Sequence, residues 1–218
     1  MRAQANEVAT AEAILAAART RLLADGYAGL STRKVAHEAG VPLSQVHYHY
    51  GSKGGMVLAL LEAENRRRLA RQMTMYSQDA PLWRRYEQAC DFLEEDLESG
   101  FVRVLQELIA AGWSTPEIAD AARTILAGWY ELLTGVAQEA ADRFGGLGPF
   151  SPAEAATLIG NAFLGSEALL LLGFDRRQLP IRASLRRVAQ LIRAMEEGVA
   201  LDGERAADAP GPKRRATR

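Results

Sequence analysis

The stretch that decides the fold is Ser31-Thr32-Arg33-Lys34-Val35-Ala36-His37-Glu38-Ala39-Gly40-Val41-Pro42-Leu43-Ser44-Gln45-Val46-His47-Tyr48-His49-Tyr50, followed by Gly51-Ser52-Lys53. Val35, Ala36, Ala39, Val41 and Val46 form a compact apolar set around Gly40, which stands where a sharp turn between helices needs a positive φ. Ala36 and Ala39 are small, so two short helices can cross closely. Upstream, Ile14, Leu15, Ala18, Leu22 and Leu23 recur at helical spacing and supply a third helix to cover the back of the pair. The pattern reads as a helix-turn-helix.

The side chains left outward are those that hydrogen-bond. Ser31 caps the first short helix, whose free N–H groups and positive dipole end suit a phosphate. Arg33, one turn in, can reach a guanine edge or a phosphate. On the second short helix Leu43, Ser44, Gln45, His47, Tyr48 and His49 are expected to point away from the apolar set. Such a helix fits the major groove, where Gln pairs with adenine and Ser with several base edges. Lys53 opens the next long helix. A cation there opposes the helix dipole, so stability does not explain it and a clamp on the DNA backbone does.

These residues resemble the tetracycline-repressor (TetR) family of one-component regulators, in Ser31-Thr32, Ala39-Gly40-Val41, Val46-His47-Tyr48-His49-Tyr50 and Ser52-Lys53. The resemblance covers about residues 8–60. It implies a nine-helix protein with an N-terminal DNA-binding domain. By the same resemblance, Thr32, Arg33, Leu43, Ser44, Gln45, His47, Tyr48, His49 and Lys53 contact operator DNA. Two positions depart from the family pattern. His47 stands where a tyrosine is common, which makes a phosphate contact there weaker or pH-dependent. Gly54-Gly55 replaces the usual acidic residue after Lys53 and is expected to loosen the first turn of that helix by up to ~1 kcal/mol per glycine.

Along the rest of the chain helix signals dominate. No period-two alternation and no Asn-Gly or Asp-Gly hairpin turn occurs. Glycines punctuate at Gly26, Gly40, Gly100, Gly112, Gly145, Gly173 and Gly198, while Ser151-Pro152-Ala153-Glu154 writes a full capping box. Thr115-Pro116 and Leu179-Pro180 open two further helices. The marks predict helices over 8–25, 32–39, 43–49, 53–77, 82–98, 101–112, 116–143, 152–172 and 181–198. The expected fold class is all-α, with a helix-turn-helix domain over 1–52 and a ligand-binding and dimerisation domain over 53–200, helix 53–77 connecting them. The remainder, 201–218, is expected to be a disordered basic tail.

Composition narrows the function classes. The 218 residues hold 26 Lys+Arg and 27 Asp+Glu, a formal net charge of -1. The mean hides a basic reading head: residues 1–57 carry six basic and four acidic side chains, and residues 58–200 carry 15 and 20. At 48% hydrophobic the chain is not a mainly disordered one. The longest apolar run, Ala168–Phe174, is far short of the ~20 residues that span a bilayer, and no apolar leader opens the chain. With one cysteine, Cys90, the chain is expected in the reducing cytoplasm, without a disulfide or Cys-cluster metal site. His47 and His49, two apart on a helix, face nearly opposite sides and cannot share an ion. No nucleophile–base–orienter set can be assembled, so no enzyme and no cofactor is expected. The rival reading is a small-molecule-binding or enzymatic helical protein whose helix-turn-helix is only structural.

The body is expected to hold a dimer interface and an effector cavity. The last two long helices carry small and apolar residues, with Ile159, Phe163, Ser166, Leu170, Leu185, Val188, Ile192 and Met195 as the two-fold interface. Cavity candidates are Tyr76, Trp83, Tyr86, Cys90, Phe101, Trp113, Trp129, Tyr130, Asn161, Phe163 and Glu167, of which Asn161 and Glu167 are polar residues in an apolar helix. The expected partners are double-stranded operator DNA, a second copy of the chain and a small-molecule effector; no membrane is expected. Arg66-Arg67-Arg68 and Arg71 read as a solvated face paired with Glu62 and Glu64.

Overall fold

The computed structural model describes residues 2–198, with side chains from Asn6 onward. The tail expected to be disordered, 201–218, lies outside the described residues. Within them the chain forms nine helices: α1 (Arg2–Gly29), α2 (Thr32–Ala39), α3 (Leu43–Tyr50), α4 (Lys53–Tyr76), α5 (Leu82–Glu98), α6 (Phe101–Gly112), α7 (Pro116–Phe144), α8 (Pro152–Leu171) and α9 (Ile181–Glu197). The one β-type pairing among the described residues is a lone bridge, Leu147 to Phe150, in the α7–α8 connection. The all-α reading holds.

Local chemistry sets these boundaries. Ser31 Oγ accepts the Lys34 N–H, and Gly40 ends α2 in the left-handed conformation (φ 66°). Ser151 and Glu154 close the capping box that starts α8. The first helix departs from expectation at both ends. It begins at Arg2 rather than near residue 8, and it breaks at Gly26 (φ 68°, ψ 173°) before a last turn to Gly29.

One apolar core runs from the small helices into the body. Ile14, Leu22, Val35 and Val46 join Met56 and Leu61 of α4, then Val104 and Leu108 of α6 and Ile118 of α7. Fully burying a side chain such as Leu108 contributes about 1.5–3 kcal/mol, so α6 is fastened to the reading head as well as to the bundle. A second core joins Tyr86, Cys90 and Leu93 of α5 to Leu185 and Ala189 of α9. Cys90 is buried there, and burial pushes its thiol up to about 11, which suits packing rather than nucleophilic attack.

The arginine run requires a correction. Arg68 is buried, not solvated: its Nε donates to Asp96 Oδ1 at 2.8 Å, its Nη1 to Glu64 Oε2 at 2.5 Å, and its guanidinium lies 4.0 Å from the Phe101 ring centroid. Arg71 bonds Glu95 and Asp96 and stacks on Phe92. A buried charge persists only when it is matched, and here two arginines converge on Asp96. Arg66 and Arg67 stay exposed.

Candidate functional site

The reading head is α2 and α3, held by α1 and the start of α4. Val35, Ala36 and Val46 point into the core, which turns Arg33, Ser44, His47 and Tyr48 outward to an exposed face. Thr32 and Gln45 flank this face half-buried, and Ser31 is occupied as the α2 cap. Arg33 makes no ion pair among the described residues, so its guanidinium is available. Tyr48 is 71% exposed, yet its hydroxyl donates to Glu7 Oε1 at 3.0 Å. Sequence reading missed Glu7 because the predicted α1 started after it. His47 Nδ1 donates to the Gly51 carbonyl at 2.9 Å, which fixes its ring at the end of α3.

Three expectations about this face need correcting. Leu43 packs against the core instead of facing outward. His49 turns inward: its Nε2 is buried without a hydrogen-bond partner, and its ring lies edge-on to Tyr48 at 5.1 Å. Lys53 does have a local partner, because its ammonium sits 4.3 Å from the Tyr27 ring centroid, a cation–π contact, and its partial burial lowers the ammonium pKa. Of the glycine pair after it, Gly55 also has a structural reason. A Cβ at residue 55 would lie 2.3 Å from the Tyr50 carbonyl oxygen, so the α3–α4 corner closes only around a glycine. Lys34, which sequence reading left aside, is tied to Asp25 at 3.0 Å and to the Gly29 carbonyl; the Lys34 and Arg21 bonds hold the Asp25 carboxyl below its ordinary range.

A cavity of about 110 Å³ opens in the body between α4, α5, α6, α7 and α8. Six of the predicted residues line it: Tyr76, Phe101, Trp129, Tyr130, Phe163 and Glu167. A second chamber of about 150 Å³ lies against α9, and Tyr76 and Leu133 line both. Tyr86 lines only this second chamber, with its hydroxyl buried and unpartnered. The remaining candidates lie elsewhere. Trp113 is 84% exposed at the C-terminal cap of α6. Trp83 is flanked by the guanidinium groups of Arg84 and Arg193, and Cys90 is sealed in the α5–α9 core. Asn161 is exposed and acts at one remove, accepting the Tyr130 hydroxyl at 2.5 Å. Gly160 lies beneath the same ring, where a Cβ would come within 2.5 Å of Tyr130 Cε1.

Two neighbours on α6 link the cavity to the reading head. Gln106 Nε2 donates to Glu167 Oε2 at 3.1 Å and to the Leu164 carbonyl at 3.3 Å. Glu107 Oε2 accepts the Tyr27 N–H at 3.0 Å, just past the break in α1. The adjacent polar pair Gln106-Glu107 in the otherwise largely apolar stretch Phe101-Val102-Arg103-Val104-Leu105-Gln106-Glu107-Leu108 was the available signal for both.

Residues 14–60 match the sequence profile described as bacterial regulatory proteins, tetR family. Over these residues the chain carries a tetR-family domain. The remainder follows the same architecture. The Bacillus subtilis transcriptional regulator FadR, solved in complex with stearoyl-CoA, superposes with a TM-score of 0.68 at 15% identity, covering 87% of this chain and 99% of that one. A TetR-family regulator from Rhodococcus sp. gives 0.68 at 21% identity, covering 84% and 97%, and a TetR regulator from Haloarcula marismortui gives 0.70 at 19%, covering 85% and 96%. No curated relative matches the chain in sequence. The domain at the reading head and the fold of the whole are both shared with transcriptional regulators. Among the described residues, no helix is long and apolar enough to cross a membrane.

The predicted interface residues divide. Leu185 is buried in the α5–α9 core, while Ile159, Phe163, Leu170, Val188 and Ile192 are half-buried and pack against it with part of each side chain still exposed. Ser166 is half-buried. Met195 is exposed, and beside it on the outer side of α8 and α9 lie Leu158, Ala162, Gly165, Leu172 and Leu191.

Proposed function

We propose that the chain is a homodimeric, effector-responsive repressor of transcription in the cytoplasm that binds a palindromic operator. In this reading residues 1–52 form the DNA-reading domain and 53–200 the body, joined through α4. Thr32, Arg33, Ser44, Gln45, His47 and Tyr48 meet base edges and phosphates, and Lys53 meets a phosphate from its seat on Tyr27. Two heads related by a two-fold axis read half-sites one helical turn or a multiple apart. The outer side of α8 and α9 supplies the axis, since an exposed apolar face of this extent is what an obligate interface covers. The stearoyl-CoA held by the Bacillus subtilis regulator supports the reading that a body of this shape admits an effector.

The observation that carries the reading is the adjacency on α6. Gln106 holds the cavity acid Glu167, while Glu107 holds the backbone of Tyr27, whose ring supports Lys53. A ligand that takes Glu167 from Gln106 shifts α6, and Glu107 passes the shift to the reading head. Coupling of this kind needs an element with two positions that both sites bias. The test is a mobility-shift titration of the DNA upstream of the gene. A discrete complex that survives excess unrelated duplex is expected, with twofold symmetry in its footprint. Binding no tighter than to unrelated duplex refutes the reading.

A further inference from the structure

The larger part of the cavity wall is apolar or aromatic, and of the polar groups that break it two are left unmatched. One is the Glu167 carboxylate, which receives a hydrogen bond from Gln106 and meets no cation among the described residues. The other is Gln72, buried on α4, whose Oε1 is sealed from solvent with no donor opposite it. Both are acceptors left wanting a donor. Asp96 also reaches the wall, but Arg68 and Arg71 already occupy its two oxygens, and Glu64 and Glu95 engage the same arginines. Among the described residues no lysine, arginine or histidine lines either chamber.

An anionic head group would therefore meet a carboxylate and find no counter-charge. A neutral one would leave the acid desolvated and unpaired, which is costly. An ammonium satisfies both acceptors, and the faces of Trp129, Tyr130 and Phe163 add cation–π attraction. Burial, opposed by the Gln106 hydrogen bond, pushes Glu167 up to about 7, so a cation arriving there gains the charge it pairs with by displacing a proton. Past Tyr76 the second chamber is walled by Val136, Ile159, Val188 and Ile192, which suits a hydrocarbon tail.

We infer that the effector is a lipophilic amine, its protonated head in the chamber of Glu167 and Gln72 and its apolar tail beyond Tyr76. The inference rests on the reading that this cavity is the effector site.

The test uses three probes with one tail: octylammonium, octanoate and octanol, titrated calorimetrically into the full chain near neutral pH. Octylammonium is expected to bind at least about tenfold more tightly than either of the others. Glu167→Gln is expected to bring it down to the octanol level, and Gln72→Leu to weaken it about threefold with octanol unchanged. Circular dichroism melts of both variants report whether they fold; Gln72→Leu keeps the test alive if Glu167→Gln does not. Octanoate or octanol binding as tightly as the amine, or an amine preference that survives both substitutions, overturns the inference. The operator complex separates the two claims. Octylammonium that binds through Glu167 without loosening the operator sinks the effector reading and leaves the amine site standing. Octanoate that binds better and loosens the operator does the reverse. No binding by any of the three overturns both.

Discussion

Lys53 and Glu167 show how much one side chain can carry. The Lys53 ammonium is neither free nor paired with a carboxylate: it rests on the Tyr27 ring in a cation–π contact at the start of α4. Replacing it with alanine should weaken operator binding and lower the slope of log affinity against log salt by ~1, as expected for one lost phosphate contact. An unchanged slope in Lys53→Ala, measured by fluorescence anisotropy over a salt series, would remove the lysine from the interface. Glu167 acts on stability. Its folded carboxyl titrates near 7 because burial outweighs the Gln106 hydrogen bond and the Asp96 charge adds to it, against an ordinary 4.5. The folded chain thus binds this proton more tightly than the unfolded one. The stability it confers is complete below about pH 4.5 and is lost as pH rises through about 7. Glu167→Gln should flatten the melting temperature between about pH 5 and pH 8 and raise stability at the upper end by on the order of 1–3 kcal/mol. Parallel pH profiles for the two proteins would contradict this.

Among the helices, α6 is the one on which both sites depend. Glu107→Ala strips the Tyr27 N–H of its acceptor and should cost about 1–3 kcal/mol of stability if nothing replaces it. It should also blunt the release of operator by a bound effector while effector affinity is kept. Titrating effector with and without operator measures that coupling, and an unaltered coupling ratio would show that α6 signals by another contact. Most helix limits could be read in advance because they are written locally: Ser31 and Ser151 as caps, Gly40, Gly145 and Gly198 as left-handed ends. The start of α1 could not, since no capping residue marks Arg2. The facing of α8 was hidden for a different reason. Apart from Asn161 and Glu167, its residues from Ala155 to Leu171 are apolar or small around the helix, so periodicity does not say which side meets the bundle. The inward stripe of α9 was visible, but its outward Leu191 and Met195 gave no periodic signal of their own. Long-range partners such as Glu7 with Tyr48, or Asp96 with two arginines, depend on tertiary packing that sequence spacing does not encode.

For the whole molecule, the proposed dimer places the apolar side of α8 and α9 at its axis, and one substitution there tests it. Leu191→Glu places a charge on that side without entering the subunit core, because Leu191 is 46% exposed. Sedimentation should then show a monomer, with operator affinity reduced at least about a hundredfold as the second head is lost. A Leu191→Glu protein that sediments with the parent would move the interface elsewhere. The uneven charge fits this arrangement: a basic head approaches the duplex while the acidic body is repelled, so the chain meets DNA already oriented. The glycine under Tyr130 has a consequence for how such a molecule diverges. One methyl group at residue 160 would drive that ring toward the chamber, shrinking the space for a guest while leaving every DNA-reading side chain in place. In the proposed regulator a single codon would thus change the guest and leave the address on the DNA as it was.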